Sequence, residues 1–269
     1  MNHINKVVVI TGASSGIGEE SVVEFAKRKS KVVLVSRNKQ NLDVVAEKIK
    51  KYNSEFLVYP CDVSKKDEVE KMGRVVLEKF GRIDILVNNA GFGIYSPINE
   101  SKFEEIESQM ATNYFGMVYC TKVFLPKMLE QKSGHIVNVA SVAASFGIPG
   151  IAPYCASKFA MLGFSEGLYH ELKGTGVGIT VVSPIMVRTN FLKHQSFKSF
   201  PKYSSMSLSS SAVAKAVVRA SSSPRLEIIV PSFVRIAVWF KQTFPYLINP
   251  IVGTAFRKAM RTKKHSNLQ

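Results

Sequence analysis

The chain has 269 residues, enough for one large domain or two small ones, and 46% are hydrophobic, enough for a substantial core. Its net charge of +16 is uneven: residues 172–269 hold fifteen Lys or Arg against one acid, Glu227, which accounts for +14. Nucleic acid ranks last among the anionic partners such a charge suits, because no zinc-finger spacing or single-strand stacking module is present; an anionic membrane surface and an anionic substrate remain.

The first apolar run, Val7–Ile10, begins after six residues and reads as a strand, VVVITG being too short for a signal peptide. A helix over Gly16–Lys29 follows, with Ile17, Val22, Phe25 and Ala26 near helical spacing. Strands are expected at Val32–Val35, Phe56–Tyr59 and Ile85–Val87, separated by helices at Leu42–Lys51 and Asp67–Phe80. Phe103–Leu129 has few breakers and predicts one long helix that Pro126 bends near its end. A strand at His135–Val139, a helix at Tyr154–Glu171 and a strand at Ile179–Val182 come next. A short helix at Ala212–Arg219 and a strand at Glu227–Val230 complete the order. Many strands are apolar on both faces, as a parallel sheet covered by helices requires. The pattern predicts a three-layer, doubly wound α/β Rossmann fold with right-handed crossovers. No run of about eighteen uncharged apolar residues occurs, so no membrane-spanning segment is expected. Cys61, Cys120 and Cys155 lack metal-ligand spacing and read as free thiols of a cytoplasmic protein without a metal site.

Thr11-Gly12-Ala13-Ser14-Ser15-Gly16-Ile17-Gly18 joins the first strand to the first helix. Gly12 suits a tight turn, Gly16 the close approach of a dinucleotide, and Gly18 close helix packing. The helix N-terminus, with Ser14, Ser15 and Ile17 in the same turn, offers backbone donors and positive potential to a pyrophosphate. At the end of strand two a NAD site normally has an acid for the ribose 2′-hydroxyl; here stand Ser36, Arg37 and Asn38. An arginine can hold a 2′-phosphate through several donors, so NADP is expected over NAD. Asp62 and Val63 suit the adenine amino group and ring, although Asp62 equally suits a turn. Asn88-Asn89-Ala90-Gly91 can pin a turn and line the cofactor; Asn88 also reads as purely structural.

Tyr154-Cys155-Ala156-Ser157-Lys158 places a phenol and an ammonium one helical turn apart on one face. A free phenol titrates near about 10, and an adjacent ammonium favours the phenolate. Tyr154 can then exchange a proton with a carbonyl or alcohol oxygen. Lys158 can also hold the nicotinamide ribose, Ser141 can orient the carbonyl oxygen, and Asn113 can bind a water leading to Lys158. Alone, each has an ordinary alternative: a core tyrosine, a solvated lysine, a strand-end serine, a satisfied buried amide.

With TGASSGIG, NNAG and YCASK together, the sequence resembles the short-chain dehydrogenase/reductase family over about residues 5–230. The resemblance implies a seven-stranded parallel sheet, NAD(P), and Asn113, Ser141, Tyr154 and Lys158 as the catalytic tetrad. It also implies dimers or tetramers through the helices that contain Asn113 and Tyr154. Where the family often has Pro-Gly after strand six, this chain has Ser183-Pro184-Ile185-Met186-Val187-Arg188-Thr189. Pro184, Ile185, Val187 and Thr189 are still expected to border the nicotinamide.

Residues 1–230 are expected to form the catalytic domain, with a substrate lid at 190–211. Within it, Lys193–Ser211 is rich in Ser, Lys and Phe and suits a mobile lid or a polar surface loop. Residues 231–269 form a basic aromatic extension that suits a membrane interface, or a helix pair packed on the substrate side or on a partner subunit. Phe92, Ile94, Tyr95, Phe146, Ile148, Met186, Phe191 and Leu192 are candidate walls for a lipid-, steroid- or acyl-like carbonyl or alcohol. The expected activity is NADPH-dependent carbonyl reduction; the alternatives are a non-catalytic NADP-binding regulator and a membrane-surface scaffold.

Overall fold

The computed structural model describes residues 3–193, 195–200, 207–250 and 253–254. β1 (Val7–Thr11) leads through the glycine turn into α1 (Gly16–Lys27). β2 (Lys31–Ser36), α2 (Lys39–Lys50), β3 (Phe56–Pro60), α3 (Lys66–Phe80) and β4 (Ile85–Asn88) follow. α4 (Phe103–Met110) passes through a π-helical turn (Ala111–Phe115) into α5 (Gly116–Glu130). β5 (Gly134–Val139), α6 (Ala152–Glu171) and β6 (Val177–Pro184) come next. The short strands β7 (Val187–Arg188) and β8 (Leu208–Ser209) pair with each other. α7 (Ser210–Ala220), β9 (Glu227–Val230) and α8 (Val234–Thr243) close the order.

Seven strands form one parallel sheet in the order β3-β2-β1-β4-β5-β6-β9. The chain winds outward from β1 through β2 to β3, then returns to place β4 on the other side of β1. That reversal opens a crevice at the carboxyl ends of β1 and β4, the position at which such sheets hold ligands.

Strand alternation divides the core into two layers. Val8, Ile10, Val32 and Leu34 pack against Val22, Phe25, Leu42, Val45, Val213 and Val217 of α1, α2 and α7. Val7, Val9, Val33 and Val35 face the other way, onto Met72, Val76, Cys120, Phe124 and Leu168 of α3, α5 and α6. Both faces are buried, so successive residues are apolar and the strands lack a polar alternation. Each fully buried large side chain stabilises the fold by roughly 1.5–3 kcal/mol.

The long helix expected over 103–129 is present, but its irregularity lies elsewhere. Pro126 sits inside α5, which continues to Glu130, whereas the hydrogen-bond pattern widens at Ala111–Phe115. Such π turns often coincide with functional positions, and this one contains Asn113. α1 stops at Lys27, short of the expected Lys29, whose φ of 61° is left-handed and incompatible with helix. Cys61, Cys120 and Cys155 are all buried and free.

Candidate active site

The glycine turn, the ends of β2, β3 and β4, and the start of α6 surround a cavity of about 630 Å³. Gly12 and Gly16 take φ values of 66° and 60°, conformations that suit glycine. A Cβ on Gly12 would lie 2.8 Å from Asn89 Nδ2 and 2.9 Å from Ala90 Cα. A Cβ on Gly16 would lie 3.1 Å from the Thr189 side chain across the cavity wall. Ser14, Ser15, Gly16 and Ile17 line this wall, and the Ser15 side chain makes no cap bond to α1. The N-terminus of α1 therefore meets the cavity with backbone donors free for a ligand. Gly18 is not in the wall; a side chain there would strike Gly12 O and Asn89 Nδ2.

Ser36, Arg37, Asn38, Asp62, Val63, Asn89, Ala90 and Gly91 line the same cavity. Ser36 Oγ is buried without a hydrogen-bond partner, and Arg37 is exposed with no bond or ion pair among the described residues. Asn38 Oδ1 caps α2, accepting from Asn41 N–H at 2.9 Å. Asp62 Oδ1 accepts from Ser64 N–H at 3.0 Å and from its hydroxyl at 2.8 Å, the turn its sequence position allowed. Asn88 is buried: its Nδ2 donates to Asn138 Oδ1 at 2.9 Å, while Asn138 donates to Ser165 of α6, and Asn88 Oδ1 has no partner among the described residues. Thr11, the first residue of the glycine turn, fastens the next residues. Its hydroxyl accepts from the N–H groups of Asn89 and Ala90, each at 3.0 Å. A glycine cradle that a Cβ would fill, and an orphaned hydroxyl beside a free guanidinium, fit a dinucleotide.

Tyr154 and Lys158 line the far end of the cavity. Lys158 Nζ donates to Val139 O at 3.1 Å and stands 5.7 Å from the Tyr154 ring centroid. Burial lowers the Lys158 pKa to about 8. Burial pushes the Tyr154 phenol above its ordinary value, opposed by a hydrogen bond with the Ser141 hydroxyl. The direction is opposite to the sequence expectation, because desolvation outweighs the Ser141 hydrogen bond. Phe191 contributes to that apolar setting, its ring meeting Tyr154 edge-on at 5.4 Å.

Ser141 and Asn113 are not among the residues that line the cavity, although the Ser141 hydroxyl bonds Tyr154, which does. Ser141 Oγ accepts from Ala143 N–H at 3.1 Å, capping a single 3₁₀ turn between β5 and α6. Asn113 Oδ1 accepts from Phe92 N–H at 2.9 Å. Its Nδ2 donates to Phe92 O and Ser157 Oγ, both at 2.9 Å. Both amide donors are thus committed to clamping the loop after β4 onto α6. Ser157, the other half of the clamp, was unremarkable in the sequence.

Thr189 lies in the cavity wall, whereas Pro184, Ile185 and Val187 do not. Ile185 N–H donates to Val230 O at 3.0 Å, extending the β6–β9 ladder, and Val187 is partly buried against the core layer that holds Val8 and Ile10. Of the candidate substrate walls, Phe92 and Phe191 line the cavity. Tyr95, Ile148 and Leu192 pack behind them with Phe197. Ile94, Phe146 and Met186 are not in the wall. Gly93, Thr112, Val139, Ala140 and Asn190 also line it without any motif to announce them, as does Cys61 beside Asp62. The segment expected to form a lid contains 3₁₀ turns at Asn190–Lys193 and Gln195–Ser199. Tyr95 N–H donates to Ser196 Oγ at 3.1 Å, holding the second turn down. Residues 194 and 201–206 of the lid lie outside the described residues, as do 251–252 and 255–269 of the extension.

The sequence model of the short chain dehydrogenase family matches residues 6–198. Human 17-beta-hydroxysteroid dehydrogenase 13 is 35% identical over 251 residues, covering 92% of this chain and 82% of the relative. A short chain dehydrogenase/reductase from Burkholderia phymatum, solved in complex with NAD, is 28% identical with a TM-score of 0.83. That match covers 92% of this chain and 96% of the other. An alcohol dehydrogenase from the archaeon Thermococcus sibiricus, complexed with 5-hydroxy-NADP, is 27% identical with a TM-score of 0.75, covering 83% and 95%. With the parallel sheet, the glycine turn after β1 and the Tyr154–Lys158 pair on α6, these matches make the chain a member of the short-chain dehydrogenase/reductase family of oxidoreductases.

Proposed function

We propose that the protein is an NADPH-dependent reductase of apolar ketones or aldehydes, reversible toward secondary alcohols. The observation that carries this reading is the shared cavity, which joins the glycine turn and Arg37 at one end to Tyr154 and Lys158 at the other. The named relatives support the chemistry, being a hydroxysteroid dehydrogenase and an alcohol dehydrogenase. Ser36 and Arg37 in place of an acid support NADP, since a carboxylate there would repel a 2′-phosphate. Phe92 and Phe191 in the wall support an apolar substrate.

Gly12, Ser14, Ser15, Gly16 and Ile17 hold the pyrophosphate, Ser36 and Arg37 the phosphorylated ribose, and Asp62 and Val63 the adenine. Asn89, Ala90, Gly91 and Thr189 flank the nicotinamide half. When bound, the dinucleotide supplies the hydride that reduces the carbonyl carbon. Tyr154 gives its phenolic proton to the carbonyl oxygen. With its pKa above the ordinary value the phenol is protonated at neutral pH, the form that can donate. The Ser141 hydroxyl orients the substrate oxygen, and Lys158, with a pKa of about 8, keeps positive charge beside the phenolate left behind. Asn113 acts through the Phe92 loop and α6 as a positioning residue.

Residues 1–230 form the catalytic unit, and it assembles as a homodimer or homotetramer. Exposed Phe103 and Phe115 on the α4–α5 helix and Phe159 on α6 support such an interface. Residues 231–269 form an extension that meets an anionic membrane surface.

A screen of NADPH oxidation across steroid, retinal, acyl and small carbonyls tests the reading. Apolar carbonyls should turn over, and Tyr154→Phe should lower kcat by about 10²–10⁴ while NADPH binding persists. Absence of turnover in every class, or a near-normal Tyr154→Phe enzyme, would overturn it.

A further inference from the structure

α8 carries apolar residues on the side that faces solvent. Val238 is its buried residue, and Val234 and Lys241 share that inward stripe. Lys241 Nζ lies 5.7 Å from the Phe159 ring centroid of α6, and Arg235 donates to Glu227 O at 2.9 Å. The outward face presents Phe233, Ile236 and Phe240 at i, i+3 and i+7, with Trp239 on its flank. Ile236 is 62% exposed and Trp239 54%. Beyond α8 the apolar surface continues through Phe244, Tyr246 and Leu247, the last two 92% and 67% exposed. Residues 245–250 are again helical. An amphipathic helix on a globular protein turns such residues inward, and a contiguous exposed apolar patch marks a contact surface.

Charge selects the occupant. Residues 231–269 hold seven Lys or Arg and no Asp or Glu. A uniformly cationic copy of the same segment would repel itself across a two-fold axis, whereas anionic headgroups complement it. Aromatic side chains with flanking cations are the composition that settles at the boundary between headgroups and acyl chains. No helix among the described residues is long and apolar enough to cross a membrane, so the contact is at the surface.

The face also has a definite place relative to the cavity. β9 ends beside β6, with Val230 in register with Pro184, and α8 starts four residues later. Lys241 rests on Phe159, the residue after Lys158. The exposed face therefore stands at the carboxyl edge of the sheet, where the cavity also lies. We propose that this face docks on an anionic lipid surface and turns the cavity toward it, so that an apolar carbonyl dissolved in the lipid reaches Tyr154 from the membrane. The delivery half of this proposal rests on the reductase reading; the docking half does not.

The test uses the full chain and a Trp239→Ser/Phe240→Ser double variant. Both are mixed with vesicles of phosphatidylcholine alone or with phosphatidylglycerol added. The wild type should sediment with the anionic vesicles at least about tenfold better than with the neutral ones, and lose that preference at high salt. Trp239 is the chain's sole tryptophan, so its emission should shift to the blue on binding. The variant should bind about tenfold more weakly. Equal sedimentation of the variant, or no vesicle binding by the wild type, overturns the docking face. A Trp239 shift that follows protein concentration without vesicles identifies a second copy as the occupant and overturns it equally. With a long-chain carbonyl in the vesicles, the variant should show a raised KM at unchanged kcat, and a short water-soluble carbonyl should distinguish nothing. If vesicles leave the long-chain KM unchanged, delivery from the membrane is overturned. Vesicle binding without turnover of any carbonyl sustains the docking face and rejects the reductase reading.

Discussion

Ser36 and Arg37 give one end of the cavity a buried hydroxyl and an exposed guanidinium. Ser36 Oγ lacks a protein partner, and Arg37 makes no bond among the described residues, so both are available to a ligand. A guanidinium–phosphate contact is charge-assisted and contributes about 1.5–3 kcal/mol, or about 10- to 150-fold in affinity. Arg37→Asp should therefore weaken NADPH by at least about tenfold relative to NADH, as read by titration of both dinucleotides. Equal losses would remove the phosphate role. That these two positions line the cavity was legible because they sit at the end of a strand whose place in the motif is fixed. The bonds of Thr11 and Ser157 were not, because their partners are distant in sequence. Thr11 bonds Ala90 across 79 positions, and Ser157 bonds Asn113 across 44. No local pattern encodes which hydroxyl will face which amide until the strands are paired.

At the level of elements, periodicity located every strand of the main sheet and the principal helices, because each strand must be apolar on both faces. It failed where tertiary contacts set the geometry. The π turn at Ala111–Phe115 keeps the helical apolar spacing almost unchanged, so it leaves no trace in the sequence. The β7–β8 pair spans only two residues on each side, too short for an alternation to show. The packing of α1 on the turn between β1 and β4 is the joint that matters most for the candidate site. It depends on Gly18, where a Cβ would meet a backbone carbonyl at Gly12 and come within 2.6 Å of Asn89 Nδ2. Neither can retreat, since Asn89 Nδ2 donates to Thr11 O at 3.0 Å and Gly12 occupies the tight turn. Gly18→Ala should cost about 1–3 kcal/mol of stability and lower the thermal midpoint by several degrees, with a parallel loss of NADPH affinity. An unchanged midpoint in calorimetry would show that α1 can shift freely, and would remove Gly18 from the cofactor turn's support.

For the molecule as a whole, buried titratable groups set the pH range in which the fold is stable. Burial lowers His135 from 6.5 to about 4, its Nε2 paired with Thr180 Oγ1 at 3.0 Å. The native ring is neutral where the unfolded one gains a proton, so stability falls as pH drops from about 6.5 toward 4. The linkage relation puts that loss at about 3 kcal/mol. Asp84 reinforces it. Burial alone would raise its carboxyl, but Arg82, Val7 N–H and Lys6 hold it below its ordinary value. Its stabilisation is present above the usual carboxylate range and is lost as pH falls through the native pKa. Lys158 acts at the other end. Its native pKa of about 8 lies below 10.5, so between those values the unfolded chain binds a proton that the native one has released. Stability from this residue therefore rises with pH through that window. Urea midpoints measured from pH 4 to 10 on the wild type, His135→Gln and Lys158→Met separate the contributions. His135→Gln should flatten the slope between about 4 and 6.5, and Lys158→Met should flatten the rise above about 8. The net charge of +16 adds a background of self-repulsion that grows on acidification in all three proteins, and it cancels in the comparison. If each variant keeps the wild-type slope in its own window, these two buried side chains do not set the pH limits of the fold.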